Sequence, residues 1–213
     1  MFEFGKYKLF YGSVVDQMPL LIKEDRVPIS SQGLMKLKLE ALLSGDKELI
    51  DLYCNHPYTT GDTIALHPNG NIQIMLDCIY MRDLNEENMP SNGNFITEEM
   101  YSCLLGQEFY LLDIMTYTAH EMKEVQAANN LIWGFLSRDQ KLLESYTKAI
   151  FAYNRRNFRH DKNMGLYIPL NQTDQPMFRT LTFGKLKYKS MAYCDLVTNP
   201  DATLIGVKQD MVD

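Results

Sequence analysis

Two β-rich runs, residues 63–66 and 72–76, flank His67-Pro68-Asn69-Gly70-Asn71, and this segment constrains the fold most. An Asn-Gly pair supplies the positive φ that tight hairpin turns demand, so residues 60–77 read as an antiparallel hairpin. Ile72, Ile74 and Leu76 alternate with Gln73 and Met75, which turns one face of the second strand toward a core. The strand region is expected to extend to Met81.

Residues 1–11 read as a strand rich in aromatics, with Gly5 marking a bulge. Residues 14–23 are a second apolar stretch, read as extended. Ser30 and Ser31 are N-cap candidates for a helix running to about residue 43 and ended by Gly45. Its leucines (34, 37, 39, 42) mix with Lys36, Lys38 and Glu40 in an amphipathic pattern. Asp46 is placed to cap a short helix reaching residue 52. Pro90, Ser91, Asn92 and Gly93 mark residues 85–94 as a loop.

Residues 97–156 are predominantly helical. Thr97-Glu98-Glu99 begins a short helix near 98–105, its acids suited to the positive end of the helix dipole. A long helix is expected over about 108–136, with Trp133 anchoring its end in the core. Another follows over about 137–154, with Ser137 as N-cap, and the two pack as an antiparallel hairpin. Residues 167–208 return to β character. Strands are expected at 179–183 and 186–196, and a turn at Asn199-Pro200-Asp201. Phe183 to Tyr188 echoes Phe4 to Leu9, which reads as two similar strands neighbouring each other in one sheet.

Strands are therefore segregated from helices. That pattern predicts an α+β fold, with a mainly antiparallel sheet from the N- and C-terminal segments and a central helical hairpin. At 213 residues one domain, 1–213, is the simplest organisation. Neither GxGxxG nor GxxxxGK[ST] occurs, so the common nucleotide-binding folds lack their signature.

Hydrophobic content of 46% and charged content of 23% belong to a globular chain. No apolar run approaches the roughly 18–20 residues of a membrane span, and residues 1–11 hold no apolar signal core. The expectation is a cytoplasmic protein with no membrane contact. Cys54, Cys78, Cys103 and Cys194 are scattered without a CxxC pair, which predicts neither a disulfide framework nor a metal cluster. Cys78 and Cys103 have apolar neighbours and read as core residues.

Charge is the functional clue. Residues 77–124 hold ten acids against Arg82 and Lys123, a surplus of eight negative charges. Residues 155–189 hold eight bases against Asp161 and Asp174, a surplus of six positive charges. Two such surfaces bias what a molecule meets and how fast. Arg155, Arg156 and Arg159 are close enough for two or three of them to share a helical face, and Lys185, Lys187 and Lys189 alternate as they would along one side of a strand. These six residues are the expected binding site of a non-enzymatic interaction or assembly protein, whose partner is another protein or a second copy of the chain.

Tyr153, Phe158, Tyr167, Phe178, Phe183 and Tyr188 lie among those bases. Bases for phosphates and aromatics for stacking are the elements of single-strand binding, so nucleic acid is the alternative partner of 153–189. The mild acidity of the whole chain argues against a general nucleic-acid coat.

A metal-dependent hydrolase is a third reading. Asp113, Thr116, His120 and Glu124 fall on one helical face if 108–136 is a helix, and Glu121 lies beside them. The sequence from His120 to Glu124 lacks the second histidine of HExxH. His160-Asp161, with His120 upstream and Asp174 downstream, has the ligand order of HD-type phosphohydrolases. No metal ligand set and no cofactor is assigned on either pattern.

Overall fold

The computed structural model describes residues 5–83, 95–104, 106–109, 121–168, 174–188, 190–195 and 197–209. Strand β1 (Tyr7–Tyr11) leads into helix α1 (Val14–Lys23), the short strand β2 (Arg26–Pro28) and helices α2 (Ser31–Ser44) and α3 (Lys47–Cys54). The hairpin strands β3 (Tyr58–Leu66) and β4 (Ile72–Met75) follow, then α4 (Ile79–Arg82), α5 (Glu98–Cys103) and β5 (Gln107–Phe109). Helices α6 (Glu124–Ala128), α7 (Leu131–Ser137) and α8 (Gln140–Phe158) precede β6 (Leu166–Tyr167), β7 (Met177–Phe183), β8 (Ala192–Asp195) and β9 (Thr203–Lys208).

The strands form one sheet in the order β1-β9-β3-β7-β8-β6, with β2 on β9 and β4 between β3 and β5. Both ends of the chain meet in it: β1 pairs antiparallel with β9, Leu9 opposite Ile205. The fold is α+β, as the segregation of strands and helices predicts. The sheet is mixed, because β6 runs parallel to β8 and β3 touches β9 in parallel at Thr59 and Leu204.

The hairpin turn stands where Asn-Gly requires it, with Gly70 at φ 92° and Ile64 opposite Ile74. Both faces of this hairpin are covered, however. Ile64, Leu66, Ile72 and Ile74 face one core with α2, α3, α7 and α8. Ala65 and Met75 face a second with α1, Phe10, Phe178 and Leu204. Period-2 alternation therefore separates two apolar environments here, rather than a core from solvent.

Helices start where side-chain oxygens can cap them. Ser30 accepts from the Gly33 amide, Asp46 from Glu48 and Leu49, and Thr97 from Met100, each satisfying a first-turn donor. Gly45 ends α2 at φ 69°, the left-handed conformation that glycine adopts without penalty. Residues 14–23 are helical, not extended. Ser13 accepts from the Asp16 amide, and Val14, Val15, Met18 and Leu21 make a buried helical stripe despite Pro19.

The middle of the chain differs most from expectation. The single long helix expected over 108–136 does not form among the described residues: residues 107–109 are a strand, and two short helices, α6 and α7, occupy 124–137. Asp113, Thr116 and His120, with residues 85–94, lie outside the described residues. The cap of α8 is Asp139, not Ser137, and Arg138 turns the chain at φ 55°. Residues 79–82 form α4 rather than prolonging a strand, and Leu186–Tyr188 is a 3-10 turn, not the start of one. The echo of Phe4 to Leu9 therefore pairs no strands; β1 lies beside β9. Cys54, Cys78 and Cys194 are buried, but Cys103 is exposed at the end of α5.

Asp62 ties the hairpin to two helices. The β3–β7 register shifts between Thr59 and Thr63. At Gly61 a side chain would meet the Pro28 carbonyl oxygen at 3.2 Å. This irregularity aims the fully buried Asp62 carboxylate at the Ser31 amide (2.7 Å), the Asp77 amide (2.8 Å) and the Arg138 guanidinium (3.1 Å). Arg138 also donates to the Asp77 carboxylate at 2.6 Å.

Lys38 of α2 is fully buried, and its ammonium donates to the Gly184 carbonyl at 2.9 Å. Desolvation pulls its pKa down from 10.5 to about 8. Between these values the unfolded chain binds the proton more tightly than the folded one, so this group's penalty shrinks as pH rises. Lys38→Met should therefore gain less, relative to wild type, at pH 9 than at pH 7. The expected change is about 1 kcal/mol, read from urea midpoints at the two pH values. An identical difference at both would mean that Lys38 titrates normally. Measurements stop at pH 9 because burial raises the Cys54 thiol to about 11 and Cys194 to about 12, which lowers stability above that point.

Candidate binding surface

The C-terminal end of α8 gathers most of the basic residues. Arg159 caps the helix in the left-handed conformation, and its amide donates to the Asn154 carbonyl. The buried Asn154 amide group donates to the Leu186 carbonyl at 3.3 Å and to the Asn163 side chain. One side chain thus joins the helix end, the loop after it and the 3-10 turn. Arg155, Arg156 and Arg159 come to the same end of the molecule as Lys185 and Lys187. Cations at this end also complement the negative pole of the helix.

The arrangement departs from the alternating lysine stripe. Lys185 precedes the 3-10 turn half-buried, Lys187 is exposed within it, and Lys189 lies outside the described residues. Arg156, Arg159 and Lys187 are exposed and form no ion pair within 4 Å among the described residues. Arg155 pairs with Glu124 at 2.8 Å.

That pair bears on the charge split. Among the described residues three acids of the acidic stretch are paired: Glu124 meets Arg155, Asp77 meets Arg138 and Glu98 meets His67. Met122 and Asn163 also exchange backbone hydrogen bonds, joining the end of the acidic stretch to the loop after α8. Part of the negative charge is spent inside the molecule, and the exposed cations of α8 are left in excess.

The aromatics divide by environment. Phe178 and Phe183 are core residues, and Tyr153 packs on Phe158 along α8 with ring centroids 6.2 Å apart. Tyr167 and Tyr188 are exposed, at 46% and 63%, and Tyr188 stands next to Lys187 in the 3-10 turn. His160 stacks on Phe158 at 5.9 Å, while Asp161 and Asp174 are exposed. Among the described residues no group of three His, Cys, Asp or Glu side chains converges as metal ligands would.

Sequence reasoning missed the Asp62–Arg138–Asp77 knot. Its one visible trace is an acid directly after Gly61 inside an otherwise uncharged strand, a sign of irregular backbone.

The chain is similar to a solved structure that shows how the C-type lectin fold accommodates massive sequence variation in Nanoarchaeota. The TM-score is 0.66 at 13% identity, over 95% of this chain and 96% of that one. The likeness extends over nearly the whole chain and establishes the fold. No family model matches the sequence, and no curated protein does.

Proposed function

We propose that this is a non-enzymatic binding protein of C-type lectin fold, whose basic end of α8 docks an acidic protein surface, a second copy of the chain included. The observation that carries the reading is that Arg156, Arg159 and Lys187, on two chain segments tied together by the Asn154–Leu186 hydrogen bond, are exposed and form no ion pair among the described residues. Arg155 and Lys185 flank them, and Lys189 belongs to the same run of sequence. Arginine and tyrosine are the side chains enriched in protein interfaces, and Tyr188 stands beside Lys187. A fold that accommodates massive sequence variation in the similar structure suits a protein whose role lies in surface contacts. The exposed free thiol of Cys103 fits a reducing compartment, in keeping with a cytoplasmic location. Among the described residues no helix is long and apolar enough to cross a membrane.

Size-exclusion chromatography with light scattering at low and high salt tests the contact. A multiple of 24.7 kDa that dissociates in salt, and is lost in the Arg156→Glu/Arg159→Glu/Lys187→Glu variant, identifies the partner as a second copy. A monomer at both salts moves the test to poly-L-glutamate, whose binding the triple variant should weaken at least about ten-fold through lost and reversed charge pairing. A monomer that also ignores poly-L-glutamate would sink the proposal.

A second reading rests on the exposed ring of Tyr188 next to Lys187. Single-stranded RNA would stack there while phosphates meet the arginines. It predicts that Tyr188→Ala weakens binding of a single-stranded oligonucleotide but leaves poly-L-glutamate binding unchanged.

A further inference from the structure

Away from the basic end of α8, a cavity of about 190 Å³ opens between β2, the first turn of α2 and α4. Its charged lining is Lys6, Lys36, Arg82 and Arg138 against Glu40 and Asp77. Arg138 is already neutralised by Asp62 and Asp77. Arg82 is different: it forms no ion pair within 4 Å among the described residues, and its Nε is shut off from water without an acceptor. Lys6 and Lys36 likewise form no ion pair there, Lys6 resting instead over the Tyr7 ring at 5.7 Å.

A guanidinium with a buried, unsatisfied N–H is an expensive arrangement. Arg82 lines the cavity, and an oxygen anion there would be met by its terminal N–H groups rather than by the enclosed Nε, because a planar guanidinium binds carboxylate or phosphate through paired N–H donors. The Ser30, Gln32 and Gly33 turn of α2 lines the same cavity, its Ser31 and Gly33 amides already held by Asp62 and Ser30. The cavity is smaller than the roughly 300–1,000 Å³ of drug-sized clefts, so the ligand is small.

We propose that this cavity binds a small oxyanion, a phosphate or carboxylate group, with Arg82 as its principal charge partner and Lys36 at its rim. Glu40 and Asp77 leave room for a ligand that also carries a hydroxyl or amino group. The site is separate from the basic end of α8 and shares no residue with it.

Thermal unfolding in inorganic phosphate and in malonate, against sodium chloride at equal ionic strength, tests the site. Wild type should gain about 4 °C at a ligand concentration ten-fold above the dissociation constant. Arg82→Gln should lose that gain for either anion. A gain with phosphate alone or malonate alone identifies which oxyanion the cavity prefers. Phosphate also stabilises proteins by exclusion from their surface, and that effect raises wild type and variant equally. Equal shifts in both, or none in wild type up to 50 mM of either anion (a concentration on the order of a weak site), would overturn the proposal. Should Arg82→Gln fail to fold, Lys36→Gln, on the exposed face of α2, is expected to reduce the shift by about half.

Discussion

Replacing Asp62 with alanine is expected to lower the free energy of unfolding by about 3–5 kcal/mol, because it leaves the Ser31 and Asp77 amides without their acceptor and takes from Arg138 one of its two carboxylate partners. The carboxylate is fully buried and accepts from Ser31, Asp77 and Arg138. Asp62→Asn keeps an acceptor but places an amide NH2 against a donor, so its loss should fall between those of wild type and alanine. Urea unfolding followed by circular dichroism at pH 7 measures all three. A loss below about 1 kcal/mol in Asp62→Ala, the range of an ordinary surface change, would show that the knot is not structural.

The same residue makes a pH prediction. Desolvation raises the Asp62 carboxyl above its ordinary value, against the opposing pull of the Ser31 and Asp77 amides and Arg138. Over the window between the unfolded and folded values the folded state keeps the proton that the unfolded chain releases. Stability from this group is then greatest at acid pH and falls as pH rises through the window. Buried charge at Asp62 is tolerated, and removing it is worse, because its partners remain. Asp62→Asn should flatten that part of the stability profile.

What the sequence made legible was whatever is fixed locally. Asn69-Gly70 placed the hairpin, Ser30, Asp46 and Thr97 placed helix starts, and Gly45 placed a helix end. Each is a backbone requirement met by one residue. The failures came where tertiary context decides. Residues 14–23 hold two valines and a proline and read as extended, yet burial of Val14, Val15, Met18 and Leu21 on one side makes them a helix. Residues 107–109 lose their helical pattern because β4 offers them a partner, Gln73 opposite Glu108. Lys185 and Lys187 alternate as in a strand, but Lys187 stands in a 3-10 turn held by Asn154 and Lys185 just before it.

The binding residues were partly legible for a related reason. Charge composition showed that 155–189 is basic, and the fold shows which of those charges remain free. Glu124, 31 residues before Arg155 in the chain, removes Arg155 from the free set. Arg82 belongs to the acidic stretch by sequence, yet it stands without an ion pair among the described residues, in a cavity with Lys6 and Lys36. Local sequence gives the sign of a region, whereas pairing across the fold decides what a ligand meets.

Trp133→Ala should destabilise the protein by about 3–5 kcal/mol, the range for deleting a fully buried large aromatic. Trp133 of α7 is 0% exposed and meets Phe183 edge-on with ring centroids 5.2 Å apart. Its indole N–H donates to the Met164 carbonyl at 2.9 Å. Met164 is a buried non-glycine residue at φ 52°, a conformation that costs of order 1 kcal/mol and needs surrounding structure to hold it. The indole therefore fills the larger core and also pins the loop that runs from the basic end of α8 to β6. Trp133→Phe separates the two roles. It keeps most of the volume but leaves the Met164 carbonyl unbonded, so about 1–2 kcal/mol should be lost. Trp133 is the only tryptophan in the chain, so circular dichroism in urea must follow both variants. If Trp133→Phe proved as damaging as Trp133→Ala, the hydrogen bond to Met164 rather than the aromatic volume would govern this part of the core. In that case the order of Arg156, Arg159 and their loop would depend on a single indole N–H.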